Sequence, residues 1–110
     1  MKQGEVWLVN FSPTEGHEQD GFRPALIVSN SAMNGTGLCM VVPGTTKYKK
    51  LPGRVRLPKG EAGLPEETYL LCDQLRTIAS VRMRQRYGVV HSKYVKQVLT
   101  QVHAFLTPEP

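Results

Sequence analysis

Long apolar runs are missing from this 110-residue chain. No stretch approaches the eighteen or so residues that a membrane-crossing helix needs, and residues 1–5 lack the apolar region of a secretion signal. The expected location is the cytoplasm, with no membrane contact. Cysteine is scarce as well. Cys39 and Cys72 each sit in an apolar stretch and read as two buried thiols on neighbouring strands, as expected in a reducing compartment. There is no glycine-rich phosphate loop, no HExxH, no cysteine pair at zinc spacing and no serine in a nucleophile-elbow context. His17, His91 and His103 lie far apart in sequence. No metal and no cofactor are expected, and an enzyme built on this chain would work with side chains alone.

What is present suits one domain spanning residues 1–110, with the 40% hydrophobic content of a chain that buries a single modest core. Residues 6–11 are rich in strand formers and run into Ser12-Pro13. A polar segment with Gly16 and Gly21 follows and reads as a long surface loop. Residues 25–28 form a short apolar run with the length of a buried strand, with Pro24 at its first residues. Residues 38–42 read as another buried strand, stopped by Pro43-Gly44. Residues 47–53 read as a basic loop and residues 54–57 as a half-exposed strand, because polar and apolar side chains alternate there. Residues 68–72 and 86–90 supply further strands. Near the C-terminus, Val95, Val98, Leu99, Val102 and Leu106 repeat at three and four, which predicts an amphipathic helix with Ser92 as its N-cap and Thr107-Pro108 as its end. Short, closely spaced strands with one terminal helix indicate a mainly β, mostly antiparallel small barrel.

The net charge of +5 is unevenly spread. Lys47, Lys49, Lys50, Arg54, Arg56 and Lys59 fall together with no acidic residue between them, and Arg82, Arg84 and Arg86 form a second cluster. Such clustering points to a polyanionic partner or to a solvated basic face. Two polar sets interrupt the apolar strands. One leads from Gly16 through His17, Glu18 and Gln19 to Arg23 and Pro24. An arginine at the entrance of a buried strand is either paired with a carboxylate or held to meet an anion. The other is Pro43-Gly44-Thr45-Thr46, where hydroxyls emerge at a strand end, either for function or for backbone bonding.

Gly4-Glu5-Val6-Trp7-Leu8-Val9, Pro13-Thr14-Glu15-Gly16-His17-Glu18-Gln19 and Arg23-Pro24-Ala25-Leu26-Ile27-Val28 together resemble the N-terminal signature of the MazF/PemK (Kid) toxins. Val42-Pro43-Gly44-Thr45-Thr46 and Asp73-Gln74-Leu75-Arg76-Thr77-Ile78 are similar to two later blocks of that family, in the same order. The resemblance implies an SH3-like antiparallel β-barrel with short helices and a C-terminal α-helix, assembled as a homodimer. It further implies the toxin of a type II toxin–antitoxin pair, a metal-independent, sequence-specific endoribonuclease of single-stranded RNA. In that chemistry the ribose 2′-OH attacks the adjacent phosphate, leaving 2′,3′-cyclic phosphate (or 3′-phosphate) and 5′-OH ends. The implied partners are single-stranded RNA and a cognate antitoxin, acidic and partly disordered.

Carried over residue by residue, the resemblance makes Arg23 and Thr45 catalytic, and His17 an acid or base for proton transfer. Glu18, Gln19, Thr46, Asp73 and Gln74 then contact substrate, with Glu18 and Gln19 orienting Arg23 or reading a base edge, and Asp73 and Gln74 reading a base or pairing with an arginine. Lys47, Lys49, Arg54 and Arg56 would hold the RNA backbone, and Tyr48 would stack on an unpaired base. Arg82, Arg84 and Arg86 would contact RNA or receive an acidic antitoxin tail. The chain departs from one family branch at Leu71, where that branch has a catalytic arginine, so weight falls on Arg23 and Thr45. Two competing readings share the fold: a gyrase-poisoning toxin similar to CcdB, and a non-catalytic SH3-like module that binds RNA.

Overall fold

The computed structural model describes residues 1–13, 16 and 21–110. Seven strands, β1 (Glu5–Asn10), β2 (Phe22–Ile27), β3 (Leu38–Thr45), β4 (Arg54–Leu57), β5 (Thr68–Leu71), β6 (Arg76–Ala79) and β7 (Met83–Val89), form one antiparallel sheet. A single turn of helix, α1 (Ser31–Asn34), and a long terminal helix, α2 (Ser92–Leu106), complete it. Neighbours run β4-β5-β3-β2-β1-β7, and β6 also pairs with β3. The sheet is barrel-like but does not close, because no pairing joins β4 to β7 among the described residues.

The unbroken apolar run after Pro24 has a simple cause: it is buried on both faces. Leu26 and Val28 point into one cluster with Val6, Val42, Leu57 and Leu70, which Tyr94 and Val98 of α2 cover. Ala25 and Ile27 point into a second cluster with Val9, Phe11, Cys39, Val41 and Ile78. Both cysteines are buried free thiols, one on β3 and one just after its neighbour β5. Burial pushes the Cys72 thiol up to about 11.

Four expectations are revised. Pro43 and Gly44 do not stop β3, which continues to Thr45. Pro43 is tolerated opposite Ala25, and Gly44 lets the strand pass close to β5. A Cβ on Gly44 would stand 2.6 Å from the Thr68 methyl and 3.4 Å from the Pro24 carbonyl oxygen. The last strand is longer than expected, beginning at Met83, because its pairing with β1 absorbs register shifts at Val6/Trp7 and Leu8/Val9. The N-cap of α2 is His91 rather than Ser92: its Nδ1 accepts from the Lys93 amide at 3.1 Å. Strand β6 is missed by periodicity, since Arg76-Thr77-Ile78-Ala79 is too short and mixed to announce itself, and only pairing with Leu38–Val41 makes it a strand.

The second arginine cluster serves the fold. Arg82 donates through Nη1 to the carbonyls of Asn10 (3.1 Å) and Ser12 (2.7 Å). Arg84 donates to the carbonyl of Val81 at 2.5 Å. Arg86 donates to Glu5 at 3.0 Å and so ties β7 to β1. Glu5 is buried, and burial disfavours its charge. The Lys2 amide, the Trp7 indole N–H and Arg86 outweigh that cost and hold the carboxyl below its ordinary value.

A carboxyl with a depressed folded-state pKa stabilises the fold above its unfolded pKa and loses that contribution as pH falls through the folded value. Glu5→Gln should therefore cost about 2 kcal/mol at pH 7. Urea titrations should show the gap to wild type closing once pH drops below the ordinary value of 4.5. Gly44→Ala should destabilise by about 1–3 kcal/mol, because the new methyl meets a buried, β-branched side chain rather than a yielding one. Thermal melts of the two proteins check this, and equal melting temperatures would refute it.

Candidate functional site

Strand register assembles one polar face. Ala25 lies opposite Pro43, and continuing that antiparallel register by two residues sets Arg23 opposite Thr45. Thr45 is in turn opposite Tyr69, and Tyr69 is opposite Arg56. Residues directly opposite project from the same side of a sheet. Arg23, Thr45, Tyr69 and Arg56 thus form a row across β2, β3, β5 and β4. Along β4 and β5, the pair Arg54 and Leu71 stands two residues away on the same side.

The 46–53 loop and the 3-10 turn after β5 wall this face into a groove of about 330 Å³. Arg23, Thr45, Lys47, Lys49, Arg54, Asp73 and Gln74 line it, with Leu51 and Leu71. Residues from four strands and two connections, from Arg23 to Gln74, therefore share one concavity. Its lining carries four cationic side chains and one carboxylate, a potential suited to a polyanion.

Two carboxylates temper the cations. Asp73 Oδ1 receives Arg54 Nη1 at 2.5 Å, and that arginine side chain is only 9% exposed. Glu67 takes Arg56 at 2.6 Å and also the Tyr69 hydroxyl. The hydrogen bond and charge of Glu67 push the Arg56 guanidinium up, while Arg56 and Tyr69 hold the Glu67 carboxyl down. Tyr69 rises in turn, chiefly because its hydroxyl donates to Glu67. The Thr45 Oγ1 accepts from the Lys47 amide at 3.2 Å, which orients the hydroxyl and leaves its proton for an acceptor in the groove.

The structure brings together seven of the residues singled out from sequence and leaves others apart. Thr46 is exposed beside the groove and does not line it. Tyr48 is 58% exposed, with its ring 4.9 Å from that of Tyr69 at 47°. Arg56 lines a neighbouring groove with Arg54, Lys96, Gln97, Thr100 and Gln101. His17, Glu18 and Gln19 lie outside the described residues. Among the described residues, no three His, Cys, Asp or Glu side chains come together as a metal site. Sequence reading missed Glu67, which holds Arg56, and Tyr69, whose hydroxyl donates to Glu67. Their signal was the pair of polar-tipped residues two apart at positions 67 and 69, legible only once β5 is set between β3 and β4.

The chain matches the family described as PemK-like, MazF-like toxin of type II toxin–antitoxin system over residues 2–106. It is 38% identical over 111 residues to the endoribonuclease PemK of Escherichia coli, covering 97% of this chain and 83% of that protein. Its fold is similar to the crystal structure of MazF from Deinococcus radiodurans, with a TM-score of 0.84, 31% identity and 96% of each chain covered. It is also similar to a chain of the MazE–MazF crystal structure from that organism, with a TM-score of 0.78, 32% identity and 96% and 95% coverage.

Proposed function

The chain belongs to the PemK-like, MazF-like toxins of type II toxin–antitoxin systems, and we propose that it is their endoribonuclease, cutting single-stranded RNA at short sequences without a metal. The observation that carries this reading is the shared groove of Arg23, Thr45, Lys47, Lys49 and Arg54, on a chain 38% identical to a named endoribonuclease. Those relatives favour the nuclease over the gyrase-poisoning toxin and the binding module.

Cleavage needs three things: removal of the 2′-OH proton, protonation of the departing 5′-oxygen, and donors for the charge that builds on the phosphorane. The 2′-oxygen bonds to phosphorus and the P–O5′ bond breaks, giving a 2′,3′-cyclic phosphate and a 5′-OH. Arg23 supplies a permanently charged fork for the phosphate. Thr45, already oriented by the Lys47 amide, donates its hydroxyl proton to a non-bridging oxygen. His17 moves the proton, since its charge can change near neutral pH. Glu18 and Gln19 orient Arg23 or read a base edge, and Gln74 contacts a base. Lys47 and Lys49 hold the flanking backbone, Arg56 and Thr46 extend the contact surface, and Tyr48 stacks on an unpaired base beside Tyr69.

The same groove would receive the antitoxin. An acidic, partly disordered segment suits the cluster of cations, as the MazE–MazF assemblies among similar structures support. The proposed working form is a homodimer of this single domain in the cytoplasm.

Purified protein should be incubated with a long, defined single-stranded RNA in excess EDTA, with cut sites and end groups mapped. Discrete cuts at one short sequence with 5′-OH ends are expected. Arg23→Ala should lower turnover at those sites by about 10²-fold or more while weakening RNA binding far less. Intact RNA across many sequences would overturn the reading.

A further inference from the structure

Arg54 stands apart from the lysines of its cluster. Lys47, Lys49 and Lys50 are exposed on a loop, whereas Arg54 lies on a strand and its side chain is 9% exposed. Its Nη1 is anchored twice, on Asp73 at 2.5 Å and on the Pro52 carbonyl at 3.4 Å. These bonds run through one nitrogen of the fork, yet the side chain still lines the groove that holds Arg23 and Thr45. Its Nη2 and Nε hydrogens are donors that these two bonds leave unused.

The setting of this arginine is that of a preorganised anion ligand rather than a tether for nonspecific backbone. Its cross-strand partner is Leu71, an apolar side chain that contributes no competing donor or acceptor. Arg54 reaches the groove from β4, on the side opposite Arg23 of β2, with β3 and β5 between them. A phosphate seated over Thr45 would then face a guanidinium from each side. A surface lysine must be ordered before it can stabilise developing charge, whereas a fork already fixed by a carboxylate requires little reorganisation at the moment of reaction.

We infer that Arg54 is a second catalytic ligand of the reacting phosphate, acting on a non-bridging oxygen from the side opposite Arg23, with Asp73 as its positioning residue. This assigns Asp73 to holding the arginine rather than to reading a base. It rests on the ribonuclease reading above and makes a narrower claim about where the phosphorane charge is met.

The test uses the full chain and a short single-stranded RNA containing the wild-type cut site, under single-turnover conditions. Arg54→Ala should lower the cleavage rate about 10²–10³-fold while changing RNA affinity only a few-fold. Arg54→Lys, which keeps charge and loses the fork, should show an intermediate loss. Asp73→Asn should lower the rate while leaving affinity near wild type, and Asp73→Glu should partly restore it. Substrates carrying a single sulfur at either non-bridging position supply a readout that a structural role would not move. Wild type should discriminate between the two diastereomers, and Arg54→Lys should discriminate less. If Arg54→Ala does not fold by circular dichroism, Arg54→Lys and the sulfur substrates decide. An unchanged rate in Arg54→Ala, a loss confined to affinity, or unaltered sulfur discrimination in Arg54→Lys would overturn the inference while leaving the ribonuclease standing. Failure of wild type to cut RNA would overturn both.

Discussion

Strand β3 has to satisfy three neighbours at once. Along one edge it pairs with β2; along the other, its first half pairs with β6 and its last residues with β5. The change of partner along that edge falls between Val41 and Gly44. Pro43 and Gly44 occupy that stretch. A proline keeps its carbonyl but offers no N–H, and a glycine leaves room for the Thr68 methyl, which a Cβ would meet at 2.6 Å. Thr45 emerges immediately beyond, so its position follows from the close packing one residue earlier.

The groove is a consequence of that crossing. Because β5 joins β3 only at Gly44 and Thr45, it carries β4 alongside and presents Arg54 and Arg56 on the face that Thr45 occupies. On the other edge, the β2 register delivers Arg23 to the same face. Below these rows the sheet is apolar on both sides, in two clusters separated by the thickness of β2. The polar face is thus supported on a rigid, dry base, while the loop of residues 46–53 forms its wall. That division suits a site needing fixed donors and an adaptable rim.

The electrostatics are less uniform than a count of basic residues suggests. Of the six cations between Lys47 and Lys59, Arg54 and Arg56 are matched by Asp73 and Glu67, and the arginines of β7 and its preceding turn hold backbone carbonyls and Glu5. The lysines are left as the diffuse part of the field, graded by salt, while the arginines are fixed forks. A groove built this way separates attraction of a polyanion from recognition of one phosphate.

By itself, the sequence determined the elements whose pattern is written locally. The apolar run after Pro24, the alternation at residues 54–57 and the three-and-four repeat of α2 each carry their own periodicity, and all formed as read. The family blocks also identified Arg23, Thr45, Asp73 and Gln74, which the fold brings into one groove. Tertiary structure alone decided the rest. Strand β6 exists because β3 offers it an edge, and β3 runs through Pro43-Gly44 because β2 and β5 pair on either side of it. His91 caps α2 because the chain direction leaving β7 places its imidazole, rather than the Ser92 hydroxyl, over the first amides. Whether a cation is a mobile surface charge or an anchored ligand depends on which carboxylate a distant strand brings to it. Arg54 and Asp73 are nineteen residues apart, and only the β4–β5 register makes them a pair.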